Sequence, residues 1–80
     1  MTLSLTLGAL VRARRIELGY SQDDLALRAG LTRSFIWRFE SGRTQPTIET
    51  FSKIASALNL RASKLLLQAE TIQENQYKST

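Results

Sequence analysis

Eighty residues without a single Cys or His restrict the chain to one small domain, near the size at which a core suffices without disulfides or metal. They also remove thiolate nucleophiles, cysteine-ligated zinc and the conventional catalytic triad, so no metal, no cofactor and no enzymatic activity is expected. The formal charge of +4 favours a polyanionic partner, and the charge is concentrated: Arg12, Arg14, Arg15, Arg28, Arg33, Arg38 and Arg43, seven of the 11 basic residues, fall in the first 43 positions.

The opening segment MTLSLTLGALV lacks the basic leader of a secretory signal, and no apolar run is long enough for a bilayer; a cytoplasmic protein without a membrane partner is expected. Leu3, Leu5 and Leu7 alternate like a short strand, but no partner strand follows. The segment is read as the lead-in to a first helix, with a brief extended arm as the alternative. That helix is expected to start after Ser4 or Thr6 and run to Leu18, with Leu7, Leu10, Val11 and Leu18 as its apolar face and Gly19 closing it.

Ser21 caps a second helix, and Asp24 sits where a capping-box partner belongs, although Glu or Gln reaches back better. Tyr20, just before the cap, is placed to staple against Leu25. Leu25, Ala26 and Ala29 form a small apolar stripe, and Gly30 falls where the chain must leave the helix through a left-handed residue. Thr32 then caps a third helix from Arg33 to about Glu40, stopped by Ser41 and Gly42. Two capped helices joined by a glycine turn make a helix-turn-helix.

The third helix divides by its period. Ile36, Phe39 and Glu40 share one side, whereas Arg33, Ser34, Trp37 and Arg38 cluster on the other. Guanidinium donates bidentately to guanine, hydroxyls bond several bases and an aromatic edge meets a thymine methyl, so the second face suits the major groove of DNA. A polar side that is merely solvated is the plain alternative, favoured by periodicity alone. The co-occurrence of caps, turn and basic face weighs against it.

Pro46 bars the third helix from continuing, and Thr47 caps a fourth in which Ile48, Phe51, Ile54, Ala55 and Leu58 recur at core spacing. Asn59 occupies its left-handed exit, with Leu60 packing after it. A fifth helix is expected to run to Ile72, starting either uncapped with Arg61 in the cap position or later, at Ser63. Its Leu65, Leu66, Leu67, Ala69 and Ile72 exceed what one short helix hides on a single face, and Leu66, Leu67 and Ile72 are assigned to a dimer seam. The domain is placed at residues 1–72 and a polar, disordered tail at 73–80.

Residues 7–67 resemble the phage repressor and Cro type of helix-turn-helix domain, the xenobiotic-response-element-like family of bacterial regulators. The resemblance lies in LGALVRARRIELGYSQDDLA, GLTRSFIWRFESGRTQP and TIETFSKIASALNL, in the family's order and spacing. It implies an all-α, compact five-helix bundle, a lambda-repressor-like DNA-binding domain that binds double-stranded operator DNA as a homodimer, nucleoid-associated when bound. It further implies that Gln22 touches a phosphate while orienting a neighbouring base-reading side chain, that Arg33 and Ser34 are the first base readers, and that Arg38 lies one turn further on. A phosphate clamp is the alternative for Arg38. Arg15 and Glu40 resemble the family's salt bridge between helix one and the end of helix three. Arg43 and Thr44 look like phosphate contacts, with the start of helix four near Thr47. Two departures stand out: Trp37 where the family is generally small or polar, facing DNA or folded back on the bundle, and Arg61 where a capping residue is usual.

The resulting expectation is a dimeric repressor on a palindromic operator. The alternatives are a toxin-neutralising antitoxin with a toxin partner, a restriction-modification controller, and a protein-interaction module that has kept the fold but lost DNA binding.

Overall fold

In a computed structural model that describes residues 2–78, and their side chains through residue 76, the chain forms five helices. They are α1 (Leu3–Glu17), α2 (Gln22–Ala29), α3 (Arg33–Glu40), α4 (Ile48–Ala57) and α5 (Ala62–Lys78), with no strand among the described residues. Helix α1 lies against α3 and α5, α2 against α3 and α4, and α4 against α5. Every helix thus contributes to one core, in which Val11, Leu25, Ile36, Phe39, Ile54, Leu58 and Leu65 are fully buried.

Helix α1 begins earlier than expected, and neither a strand nor an extended arm forms at Leu3, Leu5 and Leu7. Thr2 is the reason: its hydroxyl accepts from the Leu5 N–H at 3.2 Å, and its carbonyl accepts from the Thr6 hydroxyl at 3.1 Å. A capped first turn lets Leu7 and Val11, four residues apart, reach the core together.

Gly8 lies on the same stripe as Val11 and Arg15. A Cβ there would strike the backbone carbonyl of Phe39 and come within 2.8 Å of the Glu40 carbonyl. The absence of a side chain therefore lets α1 seat directly on the last turn of α3. Arg14 adds a second tie, donating from Nε to the Leu58 carbonyl at the end of α4 (3.1 Å).

The α2–α3 turn follows the sequence closely. Ser21 and Asp24 complete the capping box, with Asp24 N–H to Ser21 Oγ at 3.0 Å and Ser21 N–H to Asp24 Oδ2 at 2.9 Å. Gly30 adopts φ 69° and ψ 35°, and the Leu31 N–H reaches back to the Ala26 carbonyl at 2.9 Å. Tyr20 packs at the edge of the core with the Arg28 guanidinium 4.2 Å from its ring centroid.

Two expectations in the second half need correction. Ile48 is 89% exposed and does not join the core stripe, because as the first residue of α4 it lies at the rim; Ile54, Ala55 and Leu58, about two and three turns on, are buried. Phe51 is half-buried, its ring centroid 6.4 Å from that of Phe39. Helix α5 starts at Ala62, which is the uncapped start rather than the later one at Ser63. Arg61 has no side-chain acceptor to cap it, but its carbonyl already takes the N–H groups of Lys64 and Leu65. The helix also continues through Lys78 where a disordered tail was expected from Gln73, since Gln, Glu and Lys are good helix formers that extend an existing helix at little cost. Ser79 and Thr80 lie outside the described residues.

Candidate nucleic-acid interface

Helix α3 presents its two faces as its period requires. Thr32 accepts from the Phe35 N–H at 3.1 Å and sets the helix start. Ile36, Phe39 and Glu40 are buried, whereas Arg33, Ser34, Trp37 and Arg38 are all exposed. Phe35 is half-buried against the core, and the Arg38 guanidinium stands 6.0 Å from its ring centroid. At the far end the Ser41 hydroxyl donates to the carbonyls of Trp37 (2.8 Å) and Arg38 (3.2 Å), closing the helix before the loop.

Trp37 lies on the outer surface, 46% exposed, and does not fold into the bundle. The Arg43 guanidinium, from the loop after α3, rests 4.9 Å from its ring centroid. Thr44 follows, half-buried, and Thr47 caps α4 by accepting from the Thr50 N–H at 3.1 Å. The outward face of α3 and Arg43 of the following loop therefore lie side by side as one polar and cationic region.

A buried network fixes the angle at which this face is offered. Arg15 Nε donates to Glu40 Oε2 at 2.7 Å and Arg15 Nη2 to Glu40 Oε1 at 3.0 Å, a two-pronged pair between α1 and α3. Arg15 Nη1 also donates to the Tyr20 carbonyl at 2.8 Å. The hydrogen bond to Glu40 raises the Arg15 pKa against the opposing effect of burial, and the Glu40 charge adds to the rise.

Gln22 belongs to this network, which sequence reasoning did not anticipate. Its Nε2 donates to Glu40 Oε1 at 3.3 Å, so the side chain is turned toward the end of α3. A second unforeseen pairing lies at the other end of that helix, where Arg33 Nη1 approaches Asp23 Oδ2 to 3.7 Å. Neither contact leaves a mark in helical spacing, because each joins residues on different helices. Gly8 did carry a signal: helical spacing puts it on the face of Val11 and Arg15.

On α5, Leu66 and Leu67 are exposed, whereas Ile72 is half-buried on the stripe of Leu65 and Ala69. Leu66 also borders an apolar groove with Leu3, Leu7, Pro46, Ile48 and Phe51. Among the described residues no group of His, Cys, Asp and Glu is arranged to hold a metal ion, and no helix is long and apolar enough to cross a membrane.

A two-helix unit with a locked inner face and an exposed face of guanidinium, hydroxyl and indole groups defines a DNA-binding domain of the helix-turn-helix class. Residues 11–65 match the helix-turn-helix family model, and the chain belongs to that family, in its phage repressor and Cro branch. It is 32% identical over 72 residues to the ImmF control region 10 kDa protein of Bacillus phage phi105, spanning 89% of this chain and 80% of that one. The immunity repressor protein of the same phage is also 32% identical over 72 residues, covering 90% of this chain but only half of the relative's length. Among solved structures, the restriction-modification controller protein C.AhdI from Aeromonas hydrophila superposes with a TM-score of 0.74 at 31% identity, over 76% of this chain and 92% of that one. The protein is accordingly a DNA-binding transcriptional regulator.

Proposed function

We propose that the chain is a dimeric, non-enzymatic repressor that occupies a palindromic operator in the cytoplasm, with Arg33, Ser34, Trp37 and Arg38 facing the bases. The exposure of those four side chains together on one side of α3, while the opposite side is buried, is the observation that carries this reading. Arg33 donates to guanine, and Arg38 either reads a base or clamps a phosphate. Arg43, Thr44 and the Gln22 end of α2 hold the backbone, aided by the partial positive charge at helix N-termini.

The dimer is assigned to α5. Leu66 and Leu67 are exposed apolar side chains beside a groove that is itself largely apolar, and sealing them against a second copy removes that surface from water. Repression follows from occupancy, and DNA as the partner is consistent with a cytoplasmic, nucleoid-associated protein. A controller of a restriction-modification operon is the second reading, favoured by the likeness to C.AhdI over most of that protein's length. An antitoxin role would require a toxin that copurifies. A module that had lost DNA binding would have no use for an exposed Arg33 and Arg38.

Selection of bound duplexes from a random DNA pool tests the proposal. A single enriched palindrome with half-sites about one helical turn apart supports it. Recovery of unrelated sequences would refute sequence-specific binding, and an enriched non-repeated site would refute the symmetric dimer.

A further inference from the structure

The base-reading Arg33 has an anionic neighbour on the adjacent helix. Its Nη1 lies 3.7 Å from Asp23 Oδ2, across the space between the second residue of α2 and the first of α3, and the two side chains are 68% and 70% exposed. The other candidates for this position are engaged elsewhere. Gln22, the orienting residue implied by the family resemblance, points to Glu40. Asp24 accepts from the Ser21 N–H at 2.9 Å, and Glu40 is held by Arg15. Asp23 is thus the carboxylate left to meet the guanidinium.

We propose that Asp23 is a specificity-determining residue, holding the Arg33 guanidinium toward a base edge and away from phosphate; this rests on the assignment of Arg33 to guanine. A guanidinium carries five N–H donors and guanine engages two, so a cognate base and the carboxylate are satisfied together. On a wrong sequence the natural refuge for Arg33 is a phosphate oxygen, a contact that carries no sequence information. Reaching it breaks the pair with Asp23 and leaves an unpartnered carboxylate in the field of the duplex phosphates. The penalty falls on non-cognate DNA and spares the cognate site, so discrimination rises without an added base contact. In the free protein an exposed pair of this kind contributes little to stability. Its consequence lies in the ratio of affinities.

An acid in the first turn of α2 also interacts well with the helix dipole, and the test must separate that role from the proposed one. Affinities for the duplex enriched from the random pool and for a scrambled duplex of equal composition are measured at one salt concentration for wild type, Asp23→Asn, Arg33→Ala and the double variant. Asp23→Asn is expected to tighten the scrambled duplex about three- to tenfold and the enriched duplex less, lowering the ratio by about threefold or more. In the Arg33→Ala background the same change should move both duplexes equally, and Asp23→Glu should restore the ratio toward wild type.

An equal shift for both duplexes in the wild-type background would overturn the inference, leaving only general charge repulsion. So would an unaltered drop in the ratio when Arg33 is absent, or a loss of melting temperature with the ratio intact. Base-by-base variants of the enriched duplex keep the two levels distinguishable. If Arg33→Ala removes discrimination at no position, the guanine assignment and the role of Asp23 fall together. If it removes discrimination at one position while Asp23→Asn leaves the ratio unchanged, only the role of Asp23 falls.

Discussion

Arg33 and Arg43 are both exposed cations, yet they occupy positions with different consequences for DNA. Arg33 opens the outward face of α3, where the proposed function puts a fork of donors against base edges; Arg43 follows the helix in the loop and is proposed to hold the sugar-phosphate backbone. Arg33→Ala is expected to cost about 1–3 kcal/mol at one base position, and Arg43→Ala to weaken all sequences alike. Affinities for single-base operator variants check this, and a uniform loss from both changes would contradict it. Asp24 supplies a pH test of the turn. The Ser21 backbone N–H, which donates to its Oδ2, and the neighbouring Ser21 hydroxyl hold that carboxyl below the usual carboxylate range. A depressed folded pKa gives stability that is present above the unfolded value, about 3.9, and lost as the pH falls through the folded one. Thermal melts should therefore show wild type above Asp24→Ala near neutrality, with the gap closing in acid. The outward side chains of α3 were legible because a helix repeats every 3.6 residues and the apolar members mark the inner side. The partner of Gln22 was not, because a half-buried Gln chooses its acceptor by tertiary proximity.

At the scale of elements, the caps and exits were written locally and the ends were not. Ser21, Thr32 and Thr47 start their helices, Gly30 and Asn59 leave theirs with positive φ, and each signal lies within a few residues of the feature it causes. The exposure of Ile48 depends instead on how far α4 projects beyond its neighbours, and the length of α5 on continuation of a polar helix. The crossing of α1 over α3 depends on Gly8 and on the Arg15–Glu40 pair together. Gly8→Ala would press a methyl group into the backbone of α3 and is expected to destabilise the fold by about 1–3 kcal/mol. Arg15→Ala leaves the buried Glu40 with only Gln22 as a charge-neutral donor and is expected to cost about 3 kcal/mol. Chemical denaturation measures both. Losses below about 0.5 kcal/mol, the range of ordinary surface substitutions, would show that the α1–α3 contact is not what holds the reading face.

In the molecule as a whole, the reading face and the exposed leucines of α5 belong to different helices, so assembly and recognition can be separated by mutation. A twofold dimer through α5 should set two copies of α3 about 34 Å apart along one side of the duplex. Changing Leu66 and Leu67 to Lys should yield a folded monomer with weaker operator binding, read by sedimentation and anisotropy; an intact dimer would move the seam to another surface. The central claim is that the outward face of α3 enters DNA, and the single Trp of the chain sits on it. Its fluorescence is the direct measurement. Free protein should show emission open to an aqueous quencher, and the enriched operator should shift that emission and protect Trp37. Trp37→Ala should bind more weakly while melting almost as wild type. Tight, specific binding that leaves Trp37 as accessible to quencher as in the free protein would contradict the account and take α3 out of the groove.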